Sequence, residues 1–308
     1  MTEAFEPNHT KEQLEESSTV AIATSTFYKN YYSGHLQDHD QVDKIRGNLA
    51  LQMMGIAVER GYQLVVVDGN SSKDFQKEAA DLGVALTPEN ERGMSAGRRQ
   101  AILAASQLPG VKIVTWTEPE KVSMVRDCIE IGTKRIRRGE ADISIPERGP
   151  GSFGTYPTYQ VNYEQRANRR WNGTLRRFGF YGGFRDLDVW IGPRFIRNDP
   201  ELIDLFMKKF EYKSPQPLSS EVQRDKNLEL WANAIFLPLV SAMHKGYRVV
   251  GQRVPYLHPA EQTALEQDSP QFQQKRVTQY RNINMATYYL VRHLDGRDDS
   301  RLSLREAA

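Results

Sequence analysis

The sequence predicts an α/β fold in which a mostly parallel sheet is flanked by helices. Short β-branched runs alternate with helical patterns through the first half of the chain. The run at residues 62–68, YQLVVVD, is continuously apolar, as in strands that are covered on both faces. The order β-α-β-α-β-α-β implies right-handed crossovers between parallel strands, and ligands of such sheets bind beyond the carboxyl ends of the strands.

The first half of the chain holds five predicted strands with helices between them. The strands are expected at residues 18–26, 62–68, 84–86, 111–116 and 141–145. The helices are expected at residues 42–61, at 75–82, after Gly93 and at 121–138. In the first of these helices, Ile45, Leu49, Met53 and Ile56 recur at helical spacing, and Gly61 is a natural stop.

The composition changes after residue 148, and this later part is predicted to be rich in helices and loops. Residues 149–159, GPGSFGTYPTY, predict a long binding loop or lid. Helices are expected at residues 161–177, 199–210, 227–246 and 271–293, and a strand is expected at 247–254. We therefore expect a single domain that is made of two halves, 18–148 and 149–294. A disordered acidic tail is expected before it at 1–17, and a charged tail is expected after it at 295–308.

Bulk properties limit the class of protein. A chain of 308 residues fits one catalytic-size domain, and its net charge of +2 gives no general signal for a polyanionic partner. The single cysteine, Cys128, excludes an internal disulfide and lies in a helical pattern, so we expect a core residue. No apolar run reaches the ~18 residues of a membrane span, and no signal peptide precedes the fold, which predicts a cytoplasmic protein. Homo-oligomer formation stays open.

Two carboxylates, Glu118 and Glu120, follow the predicted strand at residues 111–116. Mg²⁺ and Mn²⁺ prefer oxygen ligands, and they often combine one or two protein carboxylates with water and substrate phosphate. The pair therefore predicts a divalent metal site that faces a nucleotide diphosphate. The alternative is a solvated turn or a first helical turn, which Pro119 followed by Glu120 also suits.

Polar residues at the ends of other strands predict a nucleotide site. Thr24 and Ser25 lie near the end of the first strand, and Asp68 ends the second. Because the carboxyl ends of parallel strands share one edge, these residues should converge with Glu118 and Glu120. Asp68 could accept a hydrogen bond from a base or a ribose hydroxyl, or it could cap the next helix.

The segment RGMSAGRRQAI at residues 92–102 opens a helix and predicts a phosphate contact. Arg92, Gly93 and Arg98 are the candidates, because helix N-termini and arginine forks bind phosphates. For Arg99 we expect a solvated basic face. Neither the dinucleotide-binding fingerprint nor the P-loop is present.

These motifs together resemble those of glycosyltransferases with the GT-A fold, close to family 2, over residues 18–145. The resemblance implies that Asp68 contacts the nucleobase and Arg98 borders the nucleotide. It also implies that Glu118 and Glu120 hold the metal ion that binds the diphosphate of a nucleoside-diphosphate sugar. Glu-Pro-Glu replaces the Asp-x-Asp of that family, so either longer side chains reach the cation or metal binding is weaker.

The resemblance extends to the later half by architecture. In GT-A enzymes, including those similar to mannosylglycerate synthase, a histidine after the last core strand often completes the metal shell, and His258 occupies that place. Related enzymes carry an acid on a late helix that approaches the acceptor or the base site. By this resemblance Glu229, the acid nearest that place, and Asn233, one helical turn further on, are the candidate catalytic residues. For both of these the alternative is a polar residue that flanks the core.

The segment RDLDVWIG at residues 185–192 predicts an acceptor site. Sugar sites combine an aromatic face with carboxylates. Arg185, Asp186, Asp188 and Trp190 are the candidates, and the alternative is an ordinary turn with Trp190 in the core.

Other functions remain open. Residues 165–185 interleave arginines with aromatic residues, as single-stranded nucleic-acid-binding proteins do. The near-neutral net charge of the chain argues against nucleic-acid binding. A nucleotidyltransferase would need a stronger glycine-rich basic loop after the first strand, and a scaffold that binds sugar nucleotides without turnover is a further alternative. The leading prediction is a glycosyltransferase that uses Mg²⁺ or Mn²⁺ and passes a sugar to a small-molecule or anionic acceptor.

Overall fold

A computed structural model describes residues 10–37, 41–180, 186–212, 234–296 and 302–305. Its strands are β1 (Val20–Thr26), β2 (Gln63–Asp68), β3 (Leu86–Pro88), β4 (Ile113–Trp116), β5 (Ile143–Glu147), β6 (Arg194–Arg197), β7 (Lys209–Tyr212), β8 (Val249–Arg253) and β9 (Leu302–Arg305). Seven of them form one sheet in the order β3-β2-β1-β4-β6-β5-β8, and β7 pairs with β9.

The large sheet is mostly parallel, which confirms the predicted fold class. β1 pairs in parallel with β2 and β4, β2 with β3, and β5 with β8. The exception is β6, which lies antiparallel between β4 and β5. The carboxyl ends of β1, β2 and β4 therefore lie on the same edge.

The helices are α1 (Lys11–Ser17), α2 (Gln41–Glu59), α3 (Lys73–Asp81), α4 (Met94–Ser106), α5 (Ile129–Arg137), α6 (Pro150–Phe153), α7 (Thr158–Arg177), α8 (Pro200–Met207), α9 (Leu237–His244), α10 (Ala260–Glu266) and α11 (Pro270–Leu294). A π-helical segment, Met124–Cys128, leads into α5, and a 3-10 helix spans Val189–Ile191. Ser72 caps α3 and Asp199 caps α8 by accepting a backbone N–H.

Three predictions about loops and tails differ from the structure. The expected loop at 149–159 contains α6 and the start of α7, because Pro150 and Pro157 lie where helices begin. Lys11–Ser17, expected to be disordered, forms α1, whose Glu16 pairs with Arg137. Within the expected charged tail, Leu302–Arg305 forms a strand beside β7.

The core has two parts, one on each face of the sheet, because side chains of β1 alternate in direction. Ala21 and Ala23 pack on the side of α4, α7, α8, α9 and α11. Val20 and Ile22 pack on the side of α2, α3 and α5, where Cys128 is also buried. Cys128 is fully buried, which confirms it as a core residue, and this burial raises the pKa of its thiol to about 12. Within the ranges given above, no helix has the length and apolar character needed to cross a membrane.

Candidate active site

The turn after β4 carries Glu118 and Glu120. Thr24 fixes this turn from the end of β1, because its buried hydroxyl donates a hydrogen bond of 2.9 Å to the carbonyl oxygen of Thr117. Glu120 is only 4% exposed, and the chain makes a turn here before the next helix begins. The alternative of a solvated turn is therefore wrong.

Glu120 is bound within the protein. Its Oε1 lies 2.7 Å from Nη2 of Arg46 on α2 and accepts a 2.9 Å hydrogen bond from the Tyr28 hydroxyl. Burial, and next the charge of Glu120, raise the pKa of Tyr28 well above its usual value, so this phenol stays protonated and donates.

One carboxylate oxygen of Glu118 is available for a ligand. Its Oε2 is buried and has no hydrogen-bond partner in the part of the chain that the structure describes. The carboxylate lies directly against Gly192, where any side chain would collide with it. A buried carboxylate oxygen without a donor is costly, so this atom is suited to an external ligand.

Arg98 lies beside the two acids at the first turns of α4. It is 8% exposed, its guanidinium carbon lies 5.4 Å from the centroid of the Trp116 ring, and its Nε has no partner among the described residues. Burial lowers the pKa of Arg98, and Glu118 and Glu120 oppose that shift. The expectation of a solvated face for Arg99 is wrong, because Arg99 is also buried between α4 and its neighbours.

His258 presents a nitrogen lone pair. Its Nδ1 lies 3.2 Å from the carbonyl oxygen of Pro259 and 3.0 Å from Oγ1 of Thr263. Because the Thr263 hydroxyl donates to the carbonyl oxygen of Thr155, the proton must be on Nδ1, which leaves Nε2 as an acceptor or metal ligand. Burial, then Lys121, lowers the pKa of His258 well below its usual value, so the ring is neutral at pH 7.

The turn that carries the two glutamates, residues 117–121, is called the acid turn here. The chain between β8 and His258 is hydrogen-bonded to Ser123, which directly follows this turn. The hydroxyl of Ser123 accepts a hydrogen bond from the Leu257 N–H and donates one to the Leu257 carbonyl, at 2.8 Å each. Tyr156 packs on the His258 ring with centroids 4.2 Å apart. These contacts hold His258 on the same side of the molecule as Glu118.

Glu118, Glu120, Arg98, His258 and Trp190 line one cavity of about 120 Å³. The other lining residues are Arg46, Met94, Lys121, Gln160, Glu164, Ile191, Gln262, Glu266, Phe272, Lys275, Arg276 and Gln279. The lining includes five lysines and arginines against four glutamates, so with a neutral histidine the cavity carries a formal charge of +1. A larger, open cavity of about 530 Å³ between α2 and α3 contains none of the predicted site residues.

Most of the residues predicted to bind the nucleotide lie outside the lining of this cavity. Asp68 is buried outside the cavity lining, where Thr26 and Ser71 donate hydrogen bonds to its two oxygens. Thr24 is hydrogen-bonded to the turn after β4, and Ser25 is half-buried near Gly97 at the start of α4. Arg92 and Gly93 are exposed.

Those predicted acceptor residues that the structure describes lie in different surroundings. Asp188 is buried against Arg148, at 2.7 Å, and accepts a 2.6 Å hydrogen bond from Asn168. Asp186 is exposed and pairs with Arg176. Trp190 lines the cavity, and its indole N–H has no partner in the described part of the chain. Arg185, Glu229 and Asn233 lie outside the described residues.

The cations around the cavity are not apparent from the local sequence. Arg46 comes from α2, and Lys275 and Arg276 come from α11. Arg148, after β5, is buried and pairs with Glu164 at 2.5 Å. The one available signal was the position of Arg148 directly beyond a strand, where ligand-binding residues concentrate.

In the basic and aromatic segment at residues 165–185, the described rings pack on other parts of the protein. Trp171 is fully buried, Phe178 packs edge-to-face on Tyr288, and Phe180 stacks on His244. Phe178 and Phe180 are only partly exposed and each packs on another ring, which is unfavourable for the base stacking of single-strand binding.

The donor atoms around the cavity determine whether a divalent cation can bind there. No three His, Cys, Asp or Glu side chains form a ready-made cluster in the ranges that the structure covers. Two residues with suitable donor atoms nevertheless line the cavity, Glu118 with its unpaired carboxylate oxygen and His258 with its Nε2. Mg²⁺ and Mn²⁺ commonly take the remaining ligands from substrate phosphate and water, so the donor chemistry fits.

The fold is shared with solved structures of one enzyme. No family profile and no curated protein sequence matches this chain. Glucosyl-3-phosphoglycerate synthase from Mycobacterium tuberculosis in complex with Mn²⁺, UDP-glucose and phosphoglyceric acid has 13% identity and a TM-score of 0.53, over 96% of this chain and 87% of that chain. Its complex with Mn²⁺, UDP and phosphoglyceric acid has 10% identity and a TM-score of 0.53, over 98% of this chain and 92% of that chain. Its complex with phosphoglyceric acid has 12% identity and a TM-score of 0.51, over 96% and 87%. These similarities confirm the predicted GT-A-like α/β fold.

Proposed function

We propose that this chain is a metal-dependent glycosyltransferase that moves a sugar from a nucleoside-diphosphate sugar to a small anionic acceptor. The observation that carries this proposal is the cavity beyond β4, which is lined by Glu118 with its unpaired oxygen, His258 and the buried Arg98. The shared fold supports it, because the solved relative is described with Mn²⁺, UDP-glucose and phosphoglyceric acid.

The donor would bind at the carboxyl end of β4. Glu118 and His258 would hold Mg²⁺ or Mn²⁺, with Glu120 as a further carboxylate. When bound, the cation neutralises charge that develops on the leaving diphosphate. Arg98, at the start of α4, and Lys121, on the turn after β4, add positive charge beside the same group, and these positions keep them fixed.

The acceptor would bind on the side of α11. Lys275 and Arg276 line the cavity there, opposite the acid turn. Burial, then the neighbouring charges of Arg46 and Arg276, lowers the pKa of Lys275 to about 8. Cations that repel one another in this way favour an anionic ligand such as a carboxylate or phosphate. Glu229 and Asn233 remain the proposed catalytic residues, by resemblance alone.

The test is calorimetry of UDP-glucose with and without Mn²⁺, followed by an assay of UDP release in the presence of 3-phosphoglyceric acid. We expect binding that depends on Mn²⁺ in the wild type and its loss in Glu118→Gln. Glu140→Gln is the matched control, because Glu140 pairs with Arg135 on the surface, away from the cavity. Binding that is the same with and without Mn²⁺, or equally weak in both variants, would overturn the proposal.

A further inference from the structure

Glu120 is occupied by a protein cation at the place where a metal ion would bind. Arg46 and Tyr28 both contact its Oε1, at 2.7 and 2.9 Å, and the carboxylate is almost fully buried. A divalent cation between Glu118 and Glu120 would therefore lie close to the guanidinium of Arg46. Like charges repel strongly where little water screens them, so metal and Arg46 compete for Glu120.

A second carboxylate is available to Arg46 in the same cavity. Glu266 on α10 is 2% exposed, and its Oε2 has no hydrogen-bond partner among the residues described. Its other oxygen accepts a 2.9 Å hydrogen bond from Gln262. Glu266 already raises the pKa of Arg46, after Glu120 and Tyr28, so its charge is within electrostatic reach. The Nε of Arg46 also lacks a partner within the described chain.

We propose that Arg46 exchanges Glu120 for Glu266 when a divalent cation binds at Glu118 and Glu120. The inference rests on the proposed function and makes Arg46 a positioning residue that acts through Glu120. In the metal-free protein the guanidinium neutralises the buried carboxylate, which would otherwise be costly. In the metal-bound protein Glu266 receives the displaced guanidinium. Metal affinity is therefore set partly by the difference between two ion pairs.

The first test is a titration of the protein with Mn²⁺ alone, followed by electron paramagnetic resonance of the free ion. Arg46→Gln removes the competitor, and we expect Mn²⁺ to bind about tenfold more tightly, the size of a typical coupling between contacting charges. Arg248→Gln is the matched control, because it removes a surface arginine that pairs with Asp142 at 3.2 Å. Unchanged or weaker binding in Arg46→Gln would overturn the exchange.

The second test asks whether Glu266 receives the guanidinium. Glu266→Gln should weaken Mn²⁺ binding in the wild-type background and leave it unchanged in the Arg46→Gln background. Equal effects in both backgrounds would overturn the exchange, because Glu266 would then act on the metal directly. Circular dichroism and thermal unfolding would confirm that each variant is folded.

The failure of this inference differs from the failure of the proposed function. If UDP-glucose binding depends on Mn²⁺ but Arg46→Gln has wild-type Mn²⁺ affinity, only the exchange is overturned. If no variant binds Mn²⁺, with or without UDP-glucose, both the exchange and the metal-dependent transferase are overturned.

Discussion

Gly192 lies directly against the carboxylate of Glu118, with a backbone φ of +100° that residues with a side chain rarely adopt. We expect Gly192→Ala to displace Glu118 and weaken Mn²⁺ binding by at least about tenfold, because the new methyl group occupies the place of the carboxylate. Gly139→Ala is the control, because Gly139 also has a positive φ but open space beside it. Titration with Mn²⁺ measures the effect, and equal losses in the two variants would mean that backbone strain alone is responsible.

His258 should make stability depend on pH. Its folded-state pKa is well below the usual value because of burial and the charge of Lys121. Above about pH 6.5 the ring is neutral in the folded and unfolded states, so it contributes no pH dependence. Below that pH only the unfolded state takes up the proton, so the free energy of unfolding should fall by about 1.4 kcal/mol per pH unit.

Urea unfolding at pH 7.5 and pH 5.5 measures this dependence. His258→Gln should remove the additional loss at pH 5.5, whereas His35→Gln, at an exposed position, should retain it. If His258→Gln loses as much stability at pH 5.5 as the wild type, the ring does not carry the dependence.

Arg98 should favour function at the expense of stability. It is a buried cation whose pKa is lowered by burial and whose Nε has no partner in the described chain. Arg98→Met should raise the free energy of unfolding by about 1 kcal/mol, because an apolar side chain of similar length avoids this burial. The same change should weaken UDP binding by at least about tenfold. Urea unfolding and calorimetry measure the two effects, and a variant that is less stable with unchanged UDP affinity would contradict the prediction.

Asp188 should contribute mainly to stability. Its carboxylate accepts hydrogen bonds from the Arg148 side chain and from Asn168, all within the core. Asp188→Asn leaves Arg148 with an incomplete partner set, so the free energy of unfolding should fall by about 3 kcal/mol. Asp186→Asn, at an exposed ion pair, should change it little. A stable Asp188→Asn protein that requires more acceptor for half-maximal rate would instead support the acceptor role expected from the sequence.

Strands with continuous apolar character could be predicted from the sequence because sheet burial leaves a local pattern. β1, β2 and β4 therefore lie where expected to within two residues, and the residues after β4 line the cavity. β6 is preceded by Gly192 and Pro193 and is only four residues long. Its sequence, RFIR, has an arginine at each end and therefore lacks the continuous apolar character of β4, and its antiparallel direction depends on where the preceding chain is packed.

The surroundings of the site could not be predicted because they depend on contacts between distant parts of the chain. Arg46 reaches Glu120 across 74 positions of sequence, from 46 to 120, and neither residue shows this in its local pattern. Arg99 follows Arg98 on the same helix, and only the packing of α4 against the sheet and α8 reveals that both are buried. Local sequence indicates which residues are chemically suitable, whereas tertiary packing decides which of them remain unpaired.

The π-helical segment Met124–Cys128 sets the rotational phase of the chain between the acid turn and α5. A π turn holds one more residue than an α turn and absorbs it without a change of phase, whereas a regular α-helix through the same residues would rotate the preceding chain by about 100° about the helix axis. Ser123 would then point away from Leu257, and the clasp that keeps His258 opposite Glu118 would open. The wider turn thus accommodates an additional residue while Ser123 stays against Leu257 and the two sides of the cavity stay aligned.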